Sequence, residues 1–283
     1  MEQFTLTTAD GAQLGAYRAL PHGPPKGVVQ LSHGMAEHLG RYDGLARSLN
    51  AAGYAVYGAD HRGHGRSAEV HGLGSFGPGG FQSVVDDMAA VSALARREQP
   101  GAPLILLGHS MGSFASQLYL LQYADNLSAL VLSGTAAIDE LLANGPPAGL
   151  EAFNAGFESR TGFEWLSRDE AEVDAYVADP LCGFALDEAA MQTMFGLGVG
   201  ARSDPRLADV RKTLPVYVIS GEVDPVVGPG QTFARALIGS YLAAGLSRIE
   251  HRVYPGGRHE MFNETCRNEV KADLIAWLDK ALG

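Results

Sequence analysis

The stretch Gly108-His109-Ser110-Met111-Gly112 sets a hydroxyl between two glycines, after a short apolar run, Pro103 to Leu107, and before a helix-compatible segment. Glycine lets a backbone bend where a Cβ would clash. A strand, a tight turn and a helix in this order lift a serine side chain to where a substrate can reach it. A serine hydroxyl is a weak nucleophile at neutral pH. It needs a base to take its proton and a third group to orient that base. Two downstream stretches supply both. Ser220-Gly221-Glu222-Val223-Asp224-Pro225 follows one apolar strand pattern, and Tyr254-Pro255-Gly256-Gly257-Arg258-His259-Glu260 follows another. The pattern predicts Ser110 as nucleophile, His259 as general base and then general acid, and Asp224 as the orienting carboxylate. Glu222 competes for the last role. Asp224 is preferred because it lies two residues further into its loop, with more room to turn towards a histidine. Attack on a carbonyl also develops an oxyanion, which needs N–H donors. The backbone N–H of Met111, directly after the nucleophile, is one. The other is expected at Met35, in the loop His33-Gly34-Met35-Ala36-Glu37-His38, where Gly34 leaves the chain free to turn that N–H inward.

These groups act together only if strand ends gather them at one edge of a sheet. Phe4 to Thr8 and Gln13 to Ala19 alternate around Asp10-Gly11 and read as a hairpin. Strands are expected at Gly27 to Leu31, Tyr54 to Asp60, Pro103 to Leu107, Leu127 to Leu132, Pro215 to Ser220 and Arg248 to Tyr254. Helices are expected at Tyr42 to Ala52, Phe81 to Arg97, Ser113 to Tyr123, Gly230 to Ala244 and Phe262 to Leu282. Short apolar strands alternating with amphipathic helices specify an α/β class, with a mostly parallel sheet covered on both faces. In such sheets the chemistry sits in loops at the carboxyl ends of the strands.

The alternation lapses from Ile138 to Thr213. That segment holds helix-like pieces, punctuated at Asn144-Gly145-Pro146-Pro147, Asp179-Pro180 and Asp204-Pro205, and no strand pattern. It reads as a helical cap, residues 138–212, inserted in a core formed by 1–137 and 213–283. Its aromatic and methionine residues must divide between a small core and a cavity wall above the serine.

The chain has 283 residues, with 21 basic and 32 acidic side chains and a net charge of −11. Phosphate-backbone binding is disfavoured, so no nucleic-acid partner is expected. The cap alone carries 14 acidic and 6 basic residues, as solvated acidic helices would. No apolar run approaches the roughly 18 residues of a membrane span, and the first residues lack a basic region followed by an apolar core. With two distant cysteines, Cys182 and Cys266, a reduced, cytoplasmic chain is expected, without integral membrane association. Transient contact with lipid aggregates stays open, as does the oligomeric state.

Beyond the elbow, Ser32-His33-Gly34-Met35-Ala36-Glu37-His38-Leu39-Gly40-Arg41-Tyr42 and Asp60-His61-Arg62-Gly63-His64-Gly65-Arg66-Ser67 stand at the ends of two predicted strands. With Gly108 to Gly112 and Tyr254 to Glu260, the chain resembles the monoacylglycerol lipase and lysophospholipase group of α/β-hydrolases. The resemblance continues into the cap, where Trp165-Leu166-Ser167-Arg168-Asp169 and Asp179-Pro180-Leu181-Cys182-Gly183 look like the bacterial lysophospholipase branch. It implies an α/β-hydrolase fold, the order Ser–Asp–His, no cofactor, and a polar pocket for the alcohol end of the substrate at Glu37, Arg41 and His109. Glu37 and Arg41 fit equally well as an ion pair that only fixes their loop. The resemblance also gives the Asp60–Ser67 loop a structural role, with no catalytic part for His61 or His64. One position departs from the group, which often has glycine where this chain has Ser113. Little consequence is expected there beyond tighter packing.

Other chemistries fit less well. His61, His64 and His71 cluster in sequence without the carboxylate or thiolate spacing of a metal site, so no metal is expected. Dehalogenases and epoxide hydrolases of this fold use an aspartate at the elbow. Proline-type peptidases usually carry a glycine- and proline-rich oxyanion loop, which His33-Gly34-Met35-Ala36 is not. A binding module would be expected to have lost the triad. The expected activity is a serine ester hydrolase cleaving esters of single acyl chains. A general carboxylesterase on short or aromatic monoesters, or an acyltransferase using the same acyl-enzyme, is the alternative.

Overall fold

The computed structural model describes residues 1–145 and 149–283. Eight strands form one sheet in the order β1-β2-β4-β3-β5-β6-β7-β8. They are β1 Glu2–Thr7, β2 Gln13–Ala19, β3 Val28–Ser32, β4 Ala55–Ala59, β5 Leu104–His109, β6 Ala129–Ser133, β7 Val216–Gly221 and β8 Ile249–Tyr254. The β1–β2 hairpin and the β2–β4 pairing are antiparallel, and every other pairing is parallel. The central strands β3, β4, β5, β6 and β7 are buried along their whole length. That is why their sequences are continuous apolar runs and do not alternate.

Helices α1 (Asp43–Ala51), α2 (Gly80–Glu98) and α3 (Met111–Tyr123) follow β3, β4 and β5. α4 (Ile138–Ala143), α5 (Glu170–Ala178) and α6 (Glu188–Gly198) lie between β6 and β7, and α7 (Thr232–Ala243) and α8 (Arg267–Leu282) close the chain. Val84, Val85 and Met88 of α2 pack with Leu118 of α3 on one face of the sheet. Leu45 and Leu49 of α1 pack with Val270, Leu274 and Trp277 of α8 on the other. The fold is that of an α/β-hydrolase.

Among the described residues, no strand lies between β6 and β7, and the segment is built of α4, α5, α6 and short 3-10 turns. The break expected at Asn144-Gly145-Pro146-Pro147 runs into residues outside the described ones.

Two predicted boundaries move, each for a local reason. β5 continues through His109, and α3 starts at Met111, so the whole strand-to-helix reversal falls on Ser110. The closing helix starts at Arg267, five residues later than its apolar spacing suggests. The Glu264 carboxylate accepts from the N–H groups of Thr265, Arg258 and Arg168. This ties residues 262–266 into turns in place of a first helical turn.

Candidate active site

Ser110 adopts φ 51° and ψ −120°. A positive φ is costly for a residue with a Cβ and persists only where its surroundings over-determine it. Here they do. The Ser110 N–H donates to the Ser133 carbonyl of β6 at 2.9 Å, and the Ser110 carbonyl accepts from the N–H groups of Ser113 and Phe114. A Cβ on Gly108 would meet Ser116 Oγ at 2.3 Å, and one on Gly112 would meet the Ser32 carbonyl oxygen at 2.2 Å. Both glycines are therefore required by close approach.

Ser113 does more than pack. Its buried hydroxyl donates to the Ser110 carbonyl at 2.6 Å and lies 2.9 Å from the Thr135 hydroxyl. The departure from glycine adds a hydrogen bond that braces the elbow.

Asp224 and His259 come together from the loops after β7 and β8. His259 Nδ1 lies 2.9 and 3.0 Å from the two oxygens of Asp224, and both side chains are buried. Val226 N–H donates to Asp224 Oδ1 at 2.9 Å, which fixes the carboxylate plane. Glu222 lies elsewhere. It is exposed, and its carboxylate accepts from the Gly256 N–H. It braces the histidine loop from outside and does not touch the ring. Gly134 holds φ +57°, and a Cβ there would sit 2.7 Å from His259 and 3.2 Å from His109. Its lack of a side chain makes room for both rings, whose centroids lie 4.6 Å apart.

Two cavities meet at Ser110. One is apolar, with about 960 Å³ of empty space including its mouth, and is walled by Met35, Phe114, Phe153, Met194 and Phe195 among others. The other is a recess of about 270 Å³ lined by Gly34, Glu37, His109, Tyr176, His259 and Glu260. Met35 and Trp165 line both. Among the described residues, the N–H groups of Met35 and Met111 have no acceptor.

The polar recess is a closed network. Arg41 donates to both oxygens of Glu260, at 2.5 and 2.7 Å, and to Glu37 at 2.9 Å. Glu37 also accepts from the Gly34 N–H at 2.6 Å and the Tyr42 hydroxyl at 2.7 Å. Tyr176, from α5, stacks its ring on the guanidinium at 4.9 Å. Burial would raise the Glu260 carboxyl, but Arg41 outweighs it and holds it down at about 2. Glu37 goes the other way, raised by burial and by the nearby Glu260 charge against the pull of Arg41. Burial, with the His259 ring close by, keeps His109 well below the ordinary histidine range.

A profile of the family described as "Serine aminopeptidase, S33" matches residues 23–266. The chain is 34% identical over 278 residues to a monoacylglycerol lipase of Mycolicibacterium smegmatis, covering 91% of this chain and 90% of that one. The chain belongs to this family. It is also 30% identical to the monoglyceride lipase of Mus musculus, over 96% of this chain and 89% of the relative. Among solved structures, a thermostable carboxyl esterase from Bacillus coagulans in complex with glycerol superposes with a TM-score of 0.87 at 25% identity, covering 100% and 99% of the two chains. A soluble variant of the monoglyceride lipase of Saccharomyces cerevisiae superposes with a TM-score of 0.77 at 22% identity, over 99% and 95%. As a member of this family, the chain is a carboxylic-ester hydrolase.

Several contributors to the hydrolase site escape sequence reading. Glu260 stands beside the predicted base, yet nothing local marks it as the bidentate partner of an arginine 219 positions away. Trp165 packs its ring on His259 at 4.8 Å and takes the His259 N–H on its own carbonyl at 3.2 Å. Its neighbours continue the seam. Leu166 accepts from Glu260 N–H at 2.8 Å, Arg258 donates to the carbonyls of Glu164 and Ser167, and Arg168 pairs with Glu264. The motif Trp165 to Asp169 is thus stitched to the histidine loop. The resemblance pointed to the motif but not to this contact.

His61 and His64 lie buried beside His33, with ring centroids 4.3 and 5.3 Å from it. For possible metal ligands, His38, Asp179 and Cys182 bring three ligand-type atoms within 4.8 Å of one another. His38 already pairs with Asp179 there at 2.9 Å, joining the loop after β3 to the end of α5. Both cysteines are free.

Proposed function

We propose that this chain hydrolyses the ester of one acyl chain with a small polar alcohol, a monoacylglycerol fitting best, through an acyl-enzyme on Ser110. His259 takes the Ser110 proton as the hydroxyl attacks the carbonyl, and Asp224 holds the ring and stabilises the imidazolium. The N–H groups of Met35 and Met111 receive the oxyanion. His259 returns the proton to the departing alcohol, then activates water to free the acid.

The observation that carries this reading is the position of Ser110 at the junction of the two cavities. The apolar one suits an acyl chain. The recess offers Glu37, Glu260 and His109 to the hydroxyls of an alcohol. Among the described residues lining it there is no lysine or arginine, and Arg41 behind it is already matched by two carboxyls. That charge pattern favours glycerol over a phosphate-bearing head group, because a phosphate here would face carboxylates without a free cation. The names of the relatives agree with this choice.

Residues 138–212 would act as a cap on the core of 1–137 and 213–283, held at its Trp165–Asp169 seam. Among the described residues, no helix is long and apolar enough to cross a membrane. We place the enzyme in the cytoplasm, meeting its lipid substrate in water or transiently at aggregates. The test is a hydrolysis panel varying acyl length and alcohol. Faster turnover of monoacylglycerols than of lysophospholipids and of short or aromatic monoesters is expected. A clear preference for either competing class would overturn the substrate assignment.

A further inference from the structure

The loop Asp60–Ser67 is dense in buried polar side chains that the reaction does not use. Asp60 accepts from the Leu39 N–H at 2.8 Å, the Arg66 N–H at 2.8 Å and the Tyr17 hydroxyl at 3.0 Å. It therefore ties the loop after β4 to the loop after β3. The backbone N–H of His61, the next residue, donates to His33 Nε2 at 2.9 Å. A backbone N–H can only donate, so Nε2 must accept and carries no proton. The neutral ring then has its proton on Nδ1. That Nδ1 lies 2.8 Å from the Gly34 carbonyl oxygen, and the N–H donates to it.

The Gly34 carbonyl and the Met35 N–H belong to one planar, trans peptide. Holding the oxygen on one side turns the N–H to the other. Gly34 itself borders the nucleophile, since a Cβ there would come within 3.3 Å of Ser110 Cβ. Its N–H is pinned by Glu37 at 2.6 Å. We propose that His33, locked as the Nδ1–H tautomer by the His61 backbone, is the positioning residue that aims the Met35 N–H into the oxyanion hole. The role of the Asp60–Ser67 loop is then to set that tautomer. Burial, with His61 and His64 close by, drives His33 well below the ordinary histidine range, so the ring stays neutral through the working pH. The inference rests on the reading of Met35 as an oxyanion donor.

Two isosteric variants separate this role from mere packing. His33→Asn places an amide N–H where Nδ1–H lies, whereas His33→Gln places its amide near Nε2. His33→Gln should lower kcat by about 100-fold, the cost of a lost oxyanion donor, with KM nearly unchanged. His33→Asn should recover kcat to within several-fold of wild type. Affinity for a trifluoromethyl ketone, which forms an oxyanion on the serine, should fall in step with kcat. Equal kcat for the two variants, or ketone affinity that ignores both, would overturn the proposal. If the wild type cleaves no acyl ester, the ester-hydrolase reading fails instead. Nitrogen-15 NMR of the wild-type histidines decides the tautomer without any variant. A His33 protonated on Nε2 contradicts the proposal outright.

Discussion

The two sides of Ser110 are built on different principles. On the polar side, Glu37, Glu260 and Tyr42 are buried, and short hydrogen bonds link Tyr42 to Glu37 and both carboxylates to Arg41, whose side chain is only 10% exposed. Buried charges tolerate little rearrangement, because a lost partner leaves a desolvated charge behind. On the apolar side, methionines, phenylalanines and leucines wall a larger space with non-directional contacts. Such walls accept changes of volume at modest cost, and methionine adapts its shape readily. One side is therefore suited to recognising a particular alcohol, and the other to accommodating acyl chains of several lengths.

The largest effect should come from the axis between the two sides. Asp224→Asn is expected to lower kcat by about 10⁴-fold, as loss of the orienting carboxylate does in other triads. Glu222→Gln should stay within several-fold of wild type, because Glu222 only accepts the Gly256 N–H. Steady-state rates for the pair check this, and a more damaging Glu222→Gln would reverse the assignment.

Breaking the polar side comes next. Arg41→Met leaves Glu37 and Glu260 facing each other without their cation, a change expected to cost about 3–5 kcal/mol of folding stability. Urea unfolding measures that loss. A variant as stable as wild type would show that the network is not the rigid element described here.

Acid should reach the polar side through the histidines behind it. Burial lowers His33 and His109 well below 6.5, His61 to about 3 and His64 to about 4. Each binds its proton more readily in the unfolded chain, so stability falls as the pH drops below about 6.5. The loss continues until the folded form itself protonates, near 4 for His64 and near 3 for His61. Each histidine contributes a slope of about 1.4 kcal/mol per pH unit in its window. Glu260 adds a loss of the same sign only below the ordinary carboxylate range, ending near 2. Melting temperature measured from pH 8 to 4 should bend downward below 6.5. A flat profile would mean that these rings are not held neutral.

The smallest effect is expected from the apolar wall. Phe195→Ala should shift the preferred acyl length and change the long-to-short ratio of kcat/KM by about tenfold, the scale of 1–3 kcal/mol for hydrophobic fit. Selectivity for the alcohol should not move. If the alcohol preference changes as much as the chain-length preference, the division of labour between the two sides is wrong.

What was legible in the sequence follows the same division. The elbow could be read because its requirements are local, a reversal at Ser110 that only glycine at 108 and 112 permits. The central β-strands announced themselves as continuous apolar runs and the core helices by apolar period, with errors at ends where a side chain intervenes, as Glu264 does before α8. Asp224 and His259 stood out by type, order and position after strands. The polar recess was only half legible, since Glu37 and Arg41 could be named while their bond to Glu260 depends on two distant loops meeting. The apolar wall could not be assigned residue by residue. A phenylalanine in the helical segment between β6 and β7 has the same local pattern whether it faces a small core or a cavity.

The central claim is that Ser110 carries the acyl group between those two sides. Its most direct test is rapid mixing with a p-nitrophenyl ester, followed by acid quench and mass analysis of the peptides. A burst close to one equivalent and an acyl adduct on Ser110 are expected, both lost in Ser110→Ala. An adduct on another residue, or ester cleavage that survives Ser110→Ala, would contradict it.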